Sequence, residues 1–517
     1  MHAHLRCFHF RLKVKELMKN RLSRQNKFLQ NCFFVLLLLS LSTTLKAQVT
    51  INKIDKSWTL MVDDKPFDVK GVTFGYDKET NNYGVHFKVL KALGVNTIRT
   101  WATDENTMTL LDSAHAYGIK VMVGIWMKHG RPGMEADDSF NYLEDRNGME
   151  DMYSNAVMTV DKYKAHPAVL TWAIGNEAYL NMSTDAEKEA YSKLLERICS
   201  KIKKLDSNHP ITSVEAWTFG LDWWEKLVPS LDIYGINCYG PGANLLQDEM
   251  DKRDFDKPYV ITEFGVTGEW DVNEDKNGVK IEPSDQQKFD AIETGYQKWI
   301  ANKPSCLGAY IFHYADDDQF ISPWLFTHYR GMFRPQYWAI RKAYTGSNPI
   351  NKVPEIETFE LPGSEVESGK WIPVSLTASD YEQEELTISF HYNQRTGSRK
   401  RRDQIIPLNH RGNIQDGFEI QLPDEHGAIK LYVNVSDTYN NVGIASTSIK
   451  VINEKNRARK FLVPKATLPF YVYKDGDNTP YIPSAHMGNL ESIIVDLKHS
   501  DNVHSGTSSL KISYNSK

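Results

Sequence analysis

From about Pro66 to Tyr344, short apolar runs alternate with amphipathic stretches. This is the pattern of repeated βα units, in which the period switches between a buried strand and a one-faced helix. Eight runs predict strands: Asp68–Gly75, Asn96–Trp101, Lys120–Trp126, Val169–Glu177, Ile211–Trp217, Asp232–Tyr239, Tyr259–Gly265 and Leu307–Tyr314. Between them, HFKVLKALG, TMTLLDSAHAYG and KEAYSKLLERICSKIKKLD read as helices. The first two close on Gly94 and Gly118, where a helix C-terminus favours a residue without a Cβ. Eight successive units predict an α/β fold of the closed (β/α)8 type, a TIM barrel, over residues 48–347. An open doubly wound sheet is the alternative, but no G-x-G-x-x-G opens the first unit.

The texture changes near Ser347–Pro354. Beyond it WIPVSLTA, ELTISFHY, AIKLYVNVSD and ASTSIKVI alternate polar and apolar positions, which predicts an all-β immunoglobulin-like sandwich over 355–452. After the charged linker NEKNRARK come FYVYKDGD and HSGTSSLKISY. The second phrase resembles the opening strands of jelly-roll carbohydrate-binding modules, so 459–517 is read as a partial module of that kind. At the other end, Arg21, Arg24 and Lys27 precede the apolar run Phe33–Leu41 and then Lys46-Ala47-Gln48. That order is the one of a secretory signal peptide, here 1–47, too short and polar-ended for a stable membrane span. The expectation is an exported protein: periplasmic, extracellular or at the cell surface.

Composition adds exclusions. The 517 residues carry a net charge of −5, which gives no basic field for nucleic acid. With 41% apolar and 25% charged residues the chain is ordinary globular protein of more than one domain. Beyond the predicted cleavage point only Cys199, Cys238 and Cys306 remain, neither a disulfide framework nor a metal-ligand spacing. No metal or cofactor is expected.

Two strands end abruptly in a carboxylate: HPAVLTWAIGNE at Glu177, and KPYVITEFG, which carries Glu263. Counted along the chain they are strands four and seven, so a parallel barrel delivers both to one rim. A carboxyl pair at one rim suits glycosidic bond cleavage, in which one acid protonates the leaving oxygen and a carboxylate, roughly 5–5.5 Å away, attacks the anomeric carbon.

The same residues carry a family resemblance. HPAVLTWAIGNE looks like the acid/base segment, and KPYVITEFG the nucleophile strand, of family 2 in the clan of retaining (β/α)8 β-glycosidases that also includes family 5. The stretch LKALGVNTIRTWATDENTMTLLDSAHAYGIKVMVGI further resembles β-1,3-glucanosyltransferases. The resemblance implies Glu177 as acid/base and Glu263 as nucleophile. It also implies Asn176 as the ligand of the sugar 2-hydroxyl, Tyr239 of INCYG as a support for the nucleophile, and Arg99 as its charge partner. An arginine beside one carboxylate favours its ionised form, while burial and a negative neighbour keep the other protonated.

Trp101, Trp217 and His313 sit at predicted strand ends and are further substrate-binding candidates, with Trp126, Trp270 and His129 as weaker ones. Asp316-Asp317-Asp318 lacks the alternating ligand spacing of a calcium loop. The cluster Arg399–Arg402 falls between two predicted sandwich strands and reads as a hairpin tip. The sequence thus predicts an exported retaining β-glycoside hydrolase acting on a polysaccharide or oligosaccharide, with β-glucan, 1,3-linked, as leading substrate. Its rivals are a transglycosidase and a non-catalytic glycan-binding surface protein.

Overall fold

The computed structural model describes residues 48–55, 57–129, 138, 140–182, 184–315, 323–398, 401–455 and 493–514. The predicted signal segment, the Asp316–Asp318 run and most of 459–517 lie outside them.

Eight parallel strands close into a barrel: β1 (Val69–Phe74), β2 (Thr97–Arg99), β3 (Lys120–Ile125), β4 (Val169–Asn176), β5 (Ile211–Ala216), β6 (Ile233–Asn237), β7 (Tyr259–Phe264) and β8 (Cys306–Tyr314). They lie around the barrel in chain order, with β8 pairing back to β1. The helices are α1 (Tyr83–Ala92), α2 (Thr107–Ala116), α3 (Arg146–Tyr163), α4 (Asp185–Leu205), α5 (Leu221–Leu227), α6 (Leu246–Arg253), α7 (Asp285–Gly295) and α8 (Pro335–Thr345). Each predicted strand is found within two residues at its ends. In β2 pairing stops at Arg99, so Trp101 lies in the rim turn instead of the strand. Gly94 and Gly118 both take the left-handed conformation just past α1 and α2, at φ 82° and 64°.

The strands are apolar almost without interruption because a parallel sheet is covered on both faces. Their outward residues, among them Val72, Ile98, Val123, Trp172, Ile236 and Ile261, pack with Phe87, Leu110, Leu195, Ile198 and Ile340 of the helices. Their inward residues, including Met122, Leu170, Val214, Val260 and Tyr310, merge with Val49, Leu60 and Val62 of a leading hairpin. That hairpin (Val49–Ile54 paired with Ser57–Val62) is tied to the barrel by Val49 N–H to Asn208 O at 2.8 Å and Trp58 N–H to Pro304 O at 2.7 Å. These tethers precede β5 and β8, so the hairpin floors the N-terminal end and leaves the C-terminal rim to the site.

The sandwich is built from β9 (Glu355–Glu360), β10 (Glu365–Glu367), β11 (Trp371–Ser379), β12 (Thr387–Ser398), β13 (Arg401–Pro407), β14 (His410–Asn413), β15 (Gly417–Gln421), β16 (Gly427–Ser436) and β17 (Val442–Ile452). One sheet runs β9-β11-β15-β14 and the other β10-β17-β16-β12-β13, closed over Phe390, Ile420, Leu431, Val433 and Val451. β12 and β13 pair antiparallel, Ser398 opposite Arg401, and the tip expected at Arg399–Arg402 lies partly outside the described residues. Buried polar contacts fasten the sandwich to the barrel. Asp285 of α7 accepts from Arg334 Nη2 at 2.9 Å and from the Ile444 N–H at 2.7 Å. Glu282 pairs with Lys288 at 2.7 Å and Lys430 at 3.8 Å. Of the final segment, Ile493–His499 and Ser509–Tyr514 pair as an antiparallel ribbon.

Candidate active site

The apolar run of β4 ends in Gly175-Asn176-Glu177. Gly175 takes φ 77°, and pairing with β5 breaks register between Ile174 and Asn176. Glu177 itself is left-handed at φ 52°, which costs a non-glycine residue roughly 1–2 kcal/mol and must be held by its surroundings. Its N–H donates to Val214 O at 3.0 Å, and Asn181 Nδ2 donates to its carbonyl at 2.6 Å. Behind the same turn Glu215 of β5 accepts from the Tyr179 N–H at 2.6 Å. The chain therefore turns sharply at the strand end with Glu177 as its pivot.

Glu263 accepts from three donors. Its Oε1 accepts from Arg99 Nη1 at 2.9 Å and from Trp101 Nε1 at 3.3 Å, and its Oε2 accepts from the Tyr239 hydroxyl at 2.7 Å. Arg99 is buried at the end of β2. Its Nη1 also donates to Thr262 O at 3.0 Å, and its Nη2 to Asn176 Oδ1 at 2.6 Å. Its guanidinium lies 5.2 Å from the centre of the Trp101 ring. Burial pushes the Tyr239 phenol well above its ordinary range, with the neighbouring Glu263 adding to the shift. Tyr239 therefore stays neutral and donates.

Asn237, at the end of β6, joins the two carboxylates. Its Oδ1 accepts from Thr262 Oγ1 at 2.8 Å, which turns Nδ2 toward Glu177 Oε1 at 2.8 Å and Asn176 Oδ1 at 3.2 Å. Because arginine only donates, the Asn176 atom facing it must be Oδ1, and the amide orientation is fixed. A continuous path thus runs from Glu263 through Arg99, Asn176 and Asn237 to Glu177. Sequence reasoning passed over Asn237, although it stands in the INCYG phrase that drew attention to Tyr239. It also passed over Glu215, whose signal was an acidic residue inside the apolar run of β5.

His313, at the end of β8, is buried, with Nδ1 2.8 Å from Thr73 Oγ1 and its ring 5.3 Å from Trp101. Burial lowers its pKa to about 3, so the imidazole is neutral. Trp217 is placed at the rim by its N–H bond to Asn237 O at 2.9 Å, with φ 47° and a half-buried side chain. Trp270 packs edge-on to Tyr239 at 5.4 Å. Trp126 is separate from this network: its Nε1 donates to Asp138 at 2.9 Å, and its ring lies 5.3 Å from that of His129. Gly124 of β3 is required where it is, because a Cβ there would lie 2.3 Å from Thr100 O, in the turn that carries Trp101. No group of side chains suited to a metal ion occurs among the described residues. No described helix is long and apolar enough to cross a membrane.

Residues 59–289 match the family model of the glycosyl hydrolases family 2 TIM barrel domain. Curated relatives include beta-glucuronidase of Chlorocebus aethiops, 24% identical over 267 residues covering 44% of this chain and 38% of the relative. Another is human beta-glucuronidase, 25% identical over 228 residues, 39% of this chain and 32% of the relative. The matched stretch is thus well under half the length of either relative. A crystal structure of Bacteroides uniformis beta-glucuronidase aligns at a TM-score of 0.44 and 14% identity, over 78% of this chain and 48% of that one. The relatives named here are not glucanosyltransferases, and the β-1,3-glucan expectation gains no support from them. Both Glu177 and Glu263 lie inside the matched stretch, and β8 with His313 lies beyond it. The barrel is thus similar, over these residues, to the TIM barrel domain of the glycosyl hydrolases of family 2.

Proposed function

We propose that the chain is a retaining β-glycoside hydrolase working by double displacement. The observation that carries this reading is the opposite surroundings of two rim carboxyls. Glu263 is held by a buried arginine, an indole and a phenol, whereas Glu177 is met by a neutral amide and backed by a second carboxyl, Glu215. Unlike surroundings of this kind are what divides a nucleophile from an acid.

In the first step Glu263 attacks the anomeric carbon, the glycosidic C–O bond breaks, and Glu177 gives its proton to the leaving oxygen. In the second, Glu177 takes a proton from water, the water oxygen bonds to the anomeric carbon, and the ester to Glu263 breaks. Trp101, Tyr239 and Arg99 keep the nucleophile aimed. Asn176, its Oδ1 filled by two donors, keeps its N–H groups for a sugar hydroxyl. Trp217 and His313 complete the substrate-binding set.

The beta-glucuronidase relatives make a β-glucuronide the first substrate to test, ahead of a β-glucan. Export is part of the same proposal, supported by the basic and apolar order of residues 21–47. So is the accessory role of the sandwich, read as immunoglobulin-like.

Purified protein would be assayed on a panel of aryl β-glycosides that includes the glucuronide. Glu263→Ala should abolish turnover, and Glu177→Ala should be rescued by azide. Proton NMR of the first-formed sugar should show the retained anomer. Unchanged turnover in Glu263→Ala, or an inverted product, overturns the reading. Labelled products longer than the substrate would identify transfer in place of hydrolysis.

A further inference from the structure

Glu215 is an acidic side chain fully buried behind the turn that carries Glu177, with no ion pair to it among the described residues. Register places it there: Asn176 pairs with Val214, and the Glu177 N–H bonds Val214 O. The next residue of β5 therefore lies directly behind the Glu177 pivot. Its carboxyl accepts from three peptide N–H groups: Tyr179 at 2.6 Å, Ala216 at 2.8 Å and Leu180 at 3.4 Å. Two of those peptides belong to the turn immediately after Glu177. The titratable groups facing it are Glu177 from the end of β4, Tyr179 from the turn and Tyr191 from α4. The loop before α5 brings Gly220 against its Cβ, without charge.

We propose that Glu215 is a positioning residue for Glu177, forming with it a coupled carboxyl pair that holds one proton across the neutral range. The proposal rests on the reading of Glu177 as acid/base and extends it. Two neighbouring carboxyls in a medium of low polarity do not both ionise readily. Burial, with the charge of the nearby Glu177 adding to it, raises the cost of ionising Glu215 while its neighbour is ionised. The hydrogen bonds decide where the proton sits. A proton on Glu215 would compete with peptide N–H groups already directed at its oxygens, so the ionised form belongs to Glu215 and the proton to Glu177. The anchor of the turn is thereby also the charge that keeps the acid loaded.

The test is the pH profile of kcat/KM in Glu215→Gln, on an aryl glycoside with a poor leaving group whose cleavage needs the acid. The basic limb should move down by about one pH unit or more, while the acidic limb stays in place. A residue that only held the turn would lower the rate equally at every pH, and an unmoved basic limb overturns the proposal. A second measurement needs no turnover and leaves Glu215 in place. Infrared titration of resting wild-type protein follows the protonated-carboxyl band. In Glu177→Gln the midpoint of its loss should shift to lower pH by about one unit or more, because the like charge is gone. An identical midpoint in the two proteins overturns the coupling. Failure of the Glu263→Ala assay would sink the glycosidase reading and leave this infrared result standing.

Discussion

Arg99→Met tests the physical basis of the setting of Glu263, the proposed nucleophile. The Arg99 side chain is 1% exposed and that of Glu263 9%, so both charges of the pair are out of water. Removing the guanidinium takes away a 2.9 Å ion pair, along with bonds to Thr262 O at 3.0 Å and Asn176 Oδ1 at 2.6 Å. Breaking one side of a buried ion pair costs about 3–5 kcal/mol, because it strands the other charge. In a Glu263→Gln background no charge is stranded, and only bonds to neutral acceptors are lost, about 1–3 kcal/mol. The cycle should therefore show a coupling of about 2 kcal/mol. Thermal midpoints of the four proteins are the assay, because a chain with more than one domain does not supply one unfolding free energy. At about 2–4 °C per kcal/mol, Arg99→Met should fall by about 6–20 °C alone and by clearly less with Glu263→Gln. If the loss is as large in the Glu263→Gln background, the arginine holds the barrel by packing, and its role as charge partner is refuted.

Three further outcomes follow from the same contacts. Tyr239→Phe removes a 2.7 Å bond to the Glu263 carboxylate; kcat on an aryl glycoside should fall about 10- to 100-fold, since a bond to a charged acceptor is worth about 1.5–3 kcal/mol. His328 is buried among Tyr314, Phe333 and Tyr337, and burial lowers its pKa to about 3. The folded protein then binds fewer protons than the unfolded chain between about pH 6.5 and 3, so this contribution is complete above pH 6.5 and lost as pH falls, by up to about 1.4 kcal/mol per unit. In His328→Phe the thermal midpoint should depend less on pH over that window, and an identical slope would contradict the assignment. Glu282→Gln takes from Lys288 its 2.7 Å carboxylate, leaving it the 3.5 Å contact with Asp285, and removes the Glu282–Lys430 pair, which should loosen the sandwich on the barrel by about 1–3 kcal/mol. Limited proteolysis should then cut the connection at residues 346–354 faster than in wild type.

The sequence determined the barrel and the two rim glutamates by itself, for a local reason. Each strand is a short apolar run whose period and length are written in consecutive residues. A carboxylate that breaks such a run, as in AIGNE and ITEFG, announces the strand's C-terminal end. Counting strands then places Glu177 and Glu263 on one rim, because parallel strands in chain order have no other way to close. What surrounds each glutamate was decided by tertiary structure. Asn237 reaches Glu177 only because Thr262, one strand away, occupies its carbonyl oxygen. Glu215 meets the turn after Glu177 because a register break at Gly175 sets β4 against β5. Such pairings join residues far apart in the chain through bonds whose length and direction depend on register, twist and burial. Composition and periodicity carry none of these. The side chains that give two like glutamates different surroundings become visible only when the strands stand side by side.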